Sequence, residues 1–162
     1  MYIKPVSLAV ILATSLSSFA LAQDASVQKV GLIEDVGGQE RINFSGKLRM
    51  LSQRIASSAC HLSEGVDKEA TMAMLDASTK EFDKILAALE FGDESLNING
   101  AETRRKTIAK IEAVKEKWAP LKDAALSMVS GDISENNLNT ILERNLPLLG
   151  AAVELVPAIV GQ

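Results

Sequence analysis

Cysteine, aromatic residues and positive charge are all scarce in this chain. Its 162 residues hold one cysteine, Cys60, so no intrachain disulfide framework is available. Apolar burial must hold the core together. Aromatics make up 4%, and runs of β-branched residues are few, which disfavours a sheet. Acids outnumber Lys and Arg by 21 to 17, so the basic face of a nucleic-acid binder is missing. There is no CxxCH haem attachment site and no Glu-x-x-His pair of the di-iron bundles. The single histidine, His61, follows Cys60 directly. Adjacent helical positions point about 100° apart, so the two do not chelate together. No catalytic constellation, metal set or cofactor motif is legible.

What is present begins at the N-terminus. Lys4 supplies a positive start, Val6 to Leu16 is mostly apolar, and Ala20-Leu21-Ala22 gives a small-x-small cleavage pattern. That order predicts a signal peptide over residues 1–22, export to the periplasm, and a mature chain of residues 23–162. The apolar run is shorter than the roughly 20 residues a spanning helix needs. Residues 1–22 hold one Lys and no acid, so the formal net charge moves from −4 to −5 on cleavage.

Ala and Leu dominate the remainder, and apolar residues recur at 3- and 4-residue steps. Four helices are predicted, over 26–63, 67–91, 102–129 and 134–160. The first has a weak point at Gly37-Gly38. Short polar links imply antiparallel neighbours. The fold class is therefore all-α, an antiparallel up-down four-helix bundle. Pro120 predicts a kink or short break near Lys117 in the third helix, because it lacks an N–H and clashes with the preceding turn. The fourth helix has two apolar stripes. One is Leu142, Leu146, Leu149, Val153 and Val156; the other is Leu138, Ile141, Leu148, Leu155 and Ile159. Packing in the bundle covers one, and the other faces either further core or another subunit.

The first helix carries the functional signal. Phe44, Leu48, Leu51, Ile55, Ala59 and Leu62 form its core stripe. Ile42, Ser45, Gly46, Arg49, Gln53, Ala56 and Cys60 cluster on a different side. Small residues admit a close second helix, and an Arg in such a groove needs an anion. Two copies meeting there bring two Arg49 side chains together, and an oxyanion between them relieves the repulsion. The plainer reading is a solvated Arg, whose surface ion pair is worth about 0–1 kcal/mol. Cys60 on the same side is a small buried residue or, in an oxidising compartment, one half of an intersubunit disulfide. Acids such as Glu81 and Asp83 read as ordinary solvated charges.

The run Ile42-Asn43-Phe44-Ser45-Gly46-Lys47-Leu48-Arg49-Met50-Leu51-Ser52-Gln53-Arg54-Ile55 resembles the motif of PilJ-type domains. These form the N-terminal sensing region of type IV pili methyl-accepting chemotaxis transducers. The run is also similar to the signature box of NarX/NarQ nitrate and nitrite sensor kinases. After Arg-Met it departs from those kinases, with Leu51-Ser52-Gln53 as in PilJ-type domains. The resemblance implies a non-enzymatic sensor module that binds a small anion, nitrate, nitrite or another, through Arg49 at a helix-1 homodimer interface. Ser45, Gly46 and Gln53 then line the ligand site. Asn43, Met50, Ser52 and Arg54 hold the motif, with Arg54 pairing inside the bundle. The receptors it resembles carry membrane spans and an output domain that this chain lacks, so its expected partner is a separate membrane receptor. A rival expectation is a structural or adaptor bundle that docks on an envelope protein without a small ligand.

Overall fold

The computed structural model describes residues 38–161. Four long helices carry the fold: α1 (Gly38–Ser63), α2 (Lys68–Phe91), α3 (Arg105–Val129) and α4 (Glu135–Val160). A three-residue 3-10 turn, Glu94–Leu96, sits between α2 and α3. The described residues form no named strand, only an isolated bridge from Asp93 to Ile98. Residues 1–37 lie outside this description, so the expected signal peptide and the start of the first helix before Gly38 do too.

Local chemistry explains the helix ends. Asp67 caps α2 by accepting from the Ala70 amide, and Ser134 caps α4 by accepting from the Asn137 amide. The third helix starts three residues later than its spacing predicts. Glu102 turns its own carboxylate onto the Thr103 and Arg104 amides, leaving Arg104 extended (φ −78°, ψ 116°). Gly92 is required where the chain leaves α2. Its φ is +83°, and a Cβ there would meet the Gly100 carbonyl oxygen at 2.6 Å.

Each helix packs against the next, and α1 closes against α4. Cross-links show that neighbours run in opposite directions. Lys47 on α1 pairs with Glu81 on α2, while Arg41, nearer the start of α1, reaches the Leu89 carbonyl near the end of α2. Likewise Asp83 meets Lys122 and Glu90 meets Lys115 across α2 and α3. Glu81 and Asp83 are therefore tied structural groups rather than simply solvated ones. Hydrogen bonds from Lys122 and Trp118, with the Lys122 charge, outweigh partial burial and hold the Asp83 carboxyl below its usual range.

The core follows the predicted stripes. Leu48, Leu51, Ile55, Ala59 and Leu62 are fully or almost fully buried, against Phe82, Leu89, Ile111, Leu121, Met128, Leu148 and Leu155. Phe82 stacks on Trp118, with ring centroids 4.1 Å apart. The loop after α2 also contributes: Ile98 is fully buried and plugs one end of the bundle. Pro120 produces no break, and α3 is helical throughout. Packing on both sides holds a helix together where one backbone hydrogen bond is lost. Among the described residues no helix is long and apolar enough to cross a membrane.

Candidate ligand-binding site

The expected site residues sit on α1, and burial divides them. Leu48, Leu51 and Ile55 define the inward arc. Lys47 reaches Glu81, so α2 lies on the Lys47 edge of that arc. On the other edge are Ser45 and Ser52, fully buried, and Ala56, nearly so, toward α4. These small residues let α4 approach α1 within one protomer. They are not free to admit a second copy.

Ser45 is therefore not on the open face. Its hydroxyl donates to the Ile42 carbonyl at 2.8 Å. Ser52 donates in the same way to the Arg49 carbonyl at 2.9 Å. Both hydroxyls are satisfied inside their own helix turn.

Arg49 and Gln53 are exposed, with Gly46 half-buried one turn before Arg49. They share one face with Ile42, Met50 and Cys60, at about 100° per residue. Met50 is exposed and Cys60 is half-buried and free. A Cβ on Gly46 would meet nothing within 4 Å, so this face is open. Arg49 forms no ion pair with any other described residue. Arg54 is exposed as well and has no ion pair among the described residues, in contrast to the expected pairing inside the bundle. Asn43 is exposed and accepts from the Gln39 side chain.

The open face borders the apolar surplus of α4. Leu148, Leu155 and Ile159 point into the core, while Leu142, Leu146, Val153 and Val160 are 43%, 73%, 45% and 49% exposed. Leu149 and Val156 continue that outer stripe, half-buried. The stripe lies on the side of α4 away from α3, because Glu154 and Ala158 bind Lys110 and Thr107 of α3. One side of the bundle therefore carries an unpaired guanidinium beside an apolar strip.

A different polar cluster escaped the sequence reading. Arg41, 3% exposed, occupies the inward phase of α1 one to two turns before Leu48. It donates to the Gly100 carbonyl at 2.6 Å and lies 3.8 Å from the Glu102 carboxylate. Arg104 donates to both Glu102 oxygens, at 2.8 and 2.6 Å, and to the Ile159 carbonyl at 2.9 Å. Burial raises the Glu102 pKa. The Arg104 hydrogen bonds and the Arg104 and Arg41 charges outweigh it, so the carboxyl titrates below its usual range. Burial moves Arg41 the other way, below the ordinary guanidinium value, and the Glu102 charge partly restores it. A charged residue in the core phase was the readable signal. Among the described residues no three His, Cys, Asp or Glu side chains gather to hold a metal ion.

With this geometry in hand, comparison with known proteins is decisive for the family. Residues 35–144 match the family model of the type IV pili methyl-accepting chemotaxis transducer N-terminal region, PilJ. The chain belongs to this family. The match covers the whole motif on α1, α2, α3 and the first part of α4. The fold is also similar to the ligand-binding domain of the nitrate receptor McpN from P. aeruginosa. There the TM-score is 0.63 at 25% identity, covering 75% of this chain and 94% of that one. No curated protein matches. This is therefore a PilJ-type sensor domain, and the proteins it matches are sensor and ligand-binding domains.

Proposed function

We propose that this PilJ-type domain is a periplasmic anion sensor that dimerises along its α1–α4 side and binds one small oxyanion between two Arg49 side chains. The observation that carries it is the exposed Arg49 guanidinium, which has no acidic partner among the described residues and stands beside an apolar strip. Two such charges brought together repel, and a planar oxyanion with rigid acceptors relieves that repulsion through forked hydrogen bonds. Gly46 leaves room for it, and Gln53, one turn on, can donate an amide hydrogen bond. Ser45 faces inward and contributes packing instead. The McpN domain's title calls that protein a nitrate receptor, which makes nitrate the first anion to test.

The area fits a ligand-dependent pair. From Leu142 to Val160 the strip is ~27 Å long. Two helix widths of that length come to ~600 Å² a side, at the weak end of specific interfaces. An anion that cancels charge at the centre would then decide whether the pair forms. Residues 1–22 serve as the export signal, and the domain reports to a separate membrane receptor. The exposed α4 strip also supports the second reading, an adaptor bundle docked on an envelope protein.

Thermal unfolding against nitrate, nitrite, sulfate, phosphate and small carboxylates tests the reading. A ligand at about 100 times its Kd adds ~2.7 kcal/mol, roughly 10 °C for a domain this size. One anion should give that shift, and Arg49→Ala should abolish it. A flat panel favours docking on a protein, and a shift that survives Arg49→Ala removes Arg49 from the anion site.

A further inference from the structure

Lateral polar ties are unevenly distributed around the bundle. Lys47–Glu81 joins α1 to α2. Asp83–Lys122, Asp83–Trp118 and Glu90–Lys115 join α2 to α3. Lys110–Glu154 and Thr107 to the Ala158 carbonyl join α3 to α4. From residue 42 to 63, no side-chain hydrogen bond or ion pair of α1 reaches α4 among the described residues. The edge of α1 toward α4 carries the buried small side chains Ser45, Ser52 and Ala56 there. It also borders the Arg49 face.

At one end of the bundle a polar chain joins the two helices through the α2–α3 link. Arg41 in the second turn of α1 faces Glu102, Glu102 holds Arg104, and Arg104 holds the Ile159 carbonyl in the last turn of α4. The carboxylate side chain is 3% exposed. The Glu102 amide itself donates to the Glu90 carbonyl at 2.7 Å, which anchors the link to α2. This is the end where the chain enters α1 and leaves α4.

We infer that Glu102 is a positioning residue, a latch that fixes the register of α1 against α4 at the chain-exit end. Apolar packing opposes separation and sliding of two helices without a charge pairing to define their register. A buried carboxylate shared by two guanidiniums resists both, because displacement by a few ångströms strips a buried charge of its partner. Arg49 lies eight residues beyond Arg41, ~12 Å along the same helix. The latch therefore sets the height at which Arg49 stands along the α4 strip. Any force that shifts one chain exit along the other must open it first.

The latch does not depend on the anion reading, and its test needs no ligand. Amide hydrogen exchange would be followed by mass spectrometry in wild type, Glu102→Gln and Arg41→Met. Both variants should speed exchange about tenfold or more at 42–47 and at 156–160 together, as local opening of the two ends. Exchange at 48–56 and 111–118 should stay as in wild type. Arg41→Met leaves the Glu102 bonds to Thr103 and Arg104 intact, so it separates the latch from simple capping. It also carries the test alone if Glu102→Gln does not fold. Faster exchange confined to 103–108, a uniform rise along the chain, or no change in Arg41→Met would each overturn the latch.

Discussion

Arg49, Gly46 and Ser45 lie within five residues, and each has a different job. Arg49 is exposed and unpaired within the bundle, so Arg49→Ala should change stability by no more than about 0.5 kcal/mol while removing anion binding. Circular dichroism melts without and with ligand separate these two effects. Gly46 has no atom within 4 Å of its missing Cβ. Gly46→Ala should therefore raise stability, by up to about 1 kcal/mol for relieving a mid-helix glycine. Gly46→Trp should fold equally but lose the anion response, because the added ring fills the open face. A melting curve showing Gly46→Ala strongly destabilised would place a hidden neighbour there. At this scale the sequence was half legible. Periodicity gave the inward stripe of α1 and the outward place of Arg49. It does not tell which edge of the stripe α4 occupies, so Ser45, which the resemblance places at the ligand, packs inside instead. Arg41 shares the inward phase of Leu48, but its partner Glu102 lies 61 residues later, so periodicity flags the charge without naming the cluster.

α4 is the element with surplus apolar surface, and both of its stripes were visible as periodic Leu and Val. Their separate fates depend on neighbours, which a lone helical pattern does not name. Leu146 is 73% exposed in the protomer, so Leu146→Glu should leave the melting temperature nearly unchanged. The same variant should abolish self-association in sedimentation velocity at an anion concentration where wild type dimerises. Dimerisation that survives Leu146→Glu would move the interface off α4. Helix boundaries were legible where caps are local, at Asp67 and Ser134. They failed at Glu102, whose side chain replaces the first turn of the expected third helix. The α2–α3 link read as polar, yet Ile98 within it is fully buried. A short apolar residue between Asn97 and Asn99 has no period to announce it. Pro120 predicts a kink or short break, and the helix continues through it without a break, with Trp118 and Leu121 packed on either side.

At the scale of the molecule, four antiparallel helices make a bundle in which, among the described residues, no side chain of 42–63 makes a polar tie from α1 to α4. Acid should expose the latch. Glu102 titrates below the ordinary glutamate value of 4.5 when folded, because the Arg104 bonds and the two guanidinium charges outweigh burial. The unfolded chain therefore takes up its proton first. The stabilisation is complete above about pH 4.5 and is lost as pH falls through the lower folded value. The difference in unfolding free energy between wild type and Glu102→Gln should shrink as pH drops below 4.5, measured by urea titrations. A difference independent of pH would mean that the Glu102 charge contributes nothing. The bundle itself was legible because stripes, short polar links and caps agree with one another. The latch was not, since it joins residues from three distant stretches.

The central claim is one anion held between two chains by Arg49. Isothermal titration with nitrate, run on wild type and Arg49→Ala, tests it most directly. The account predicts saturable heat at one anion per two chains, absent in Arg49→Ala. One anion per chain, or the same heat in Arg49→Ala, would contradict it.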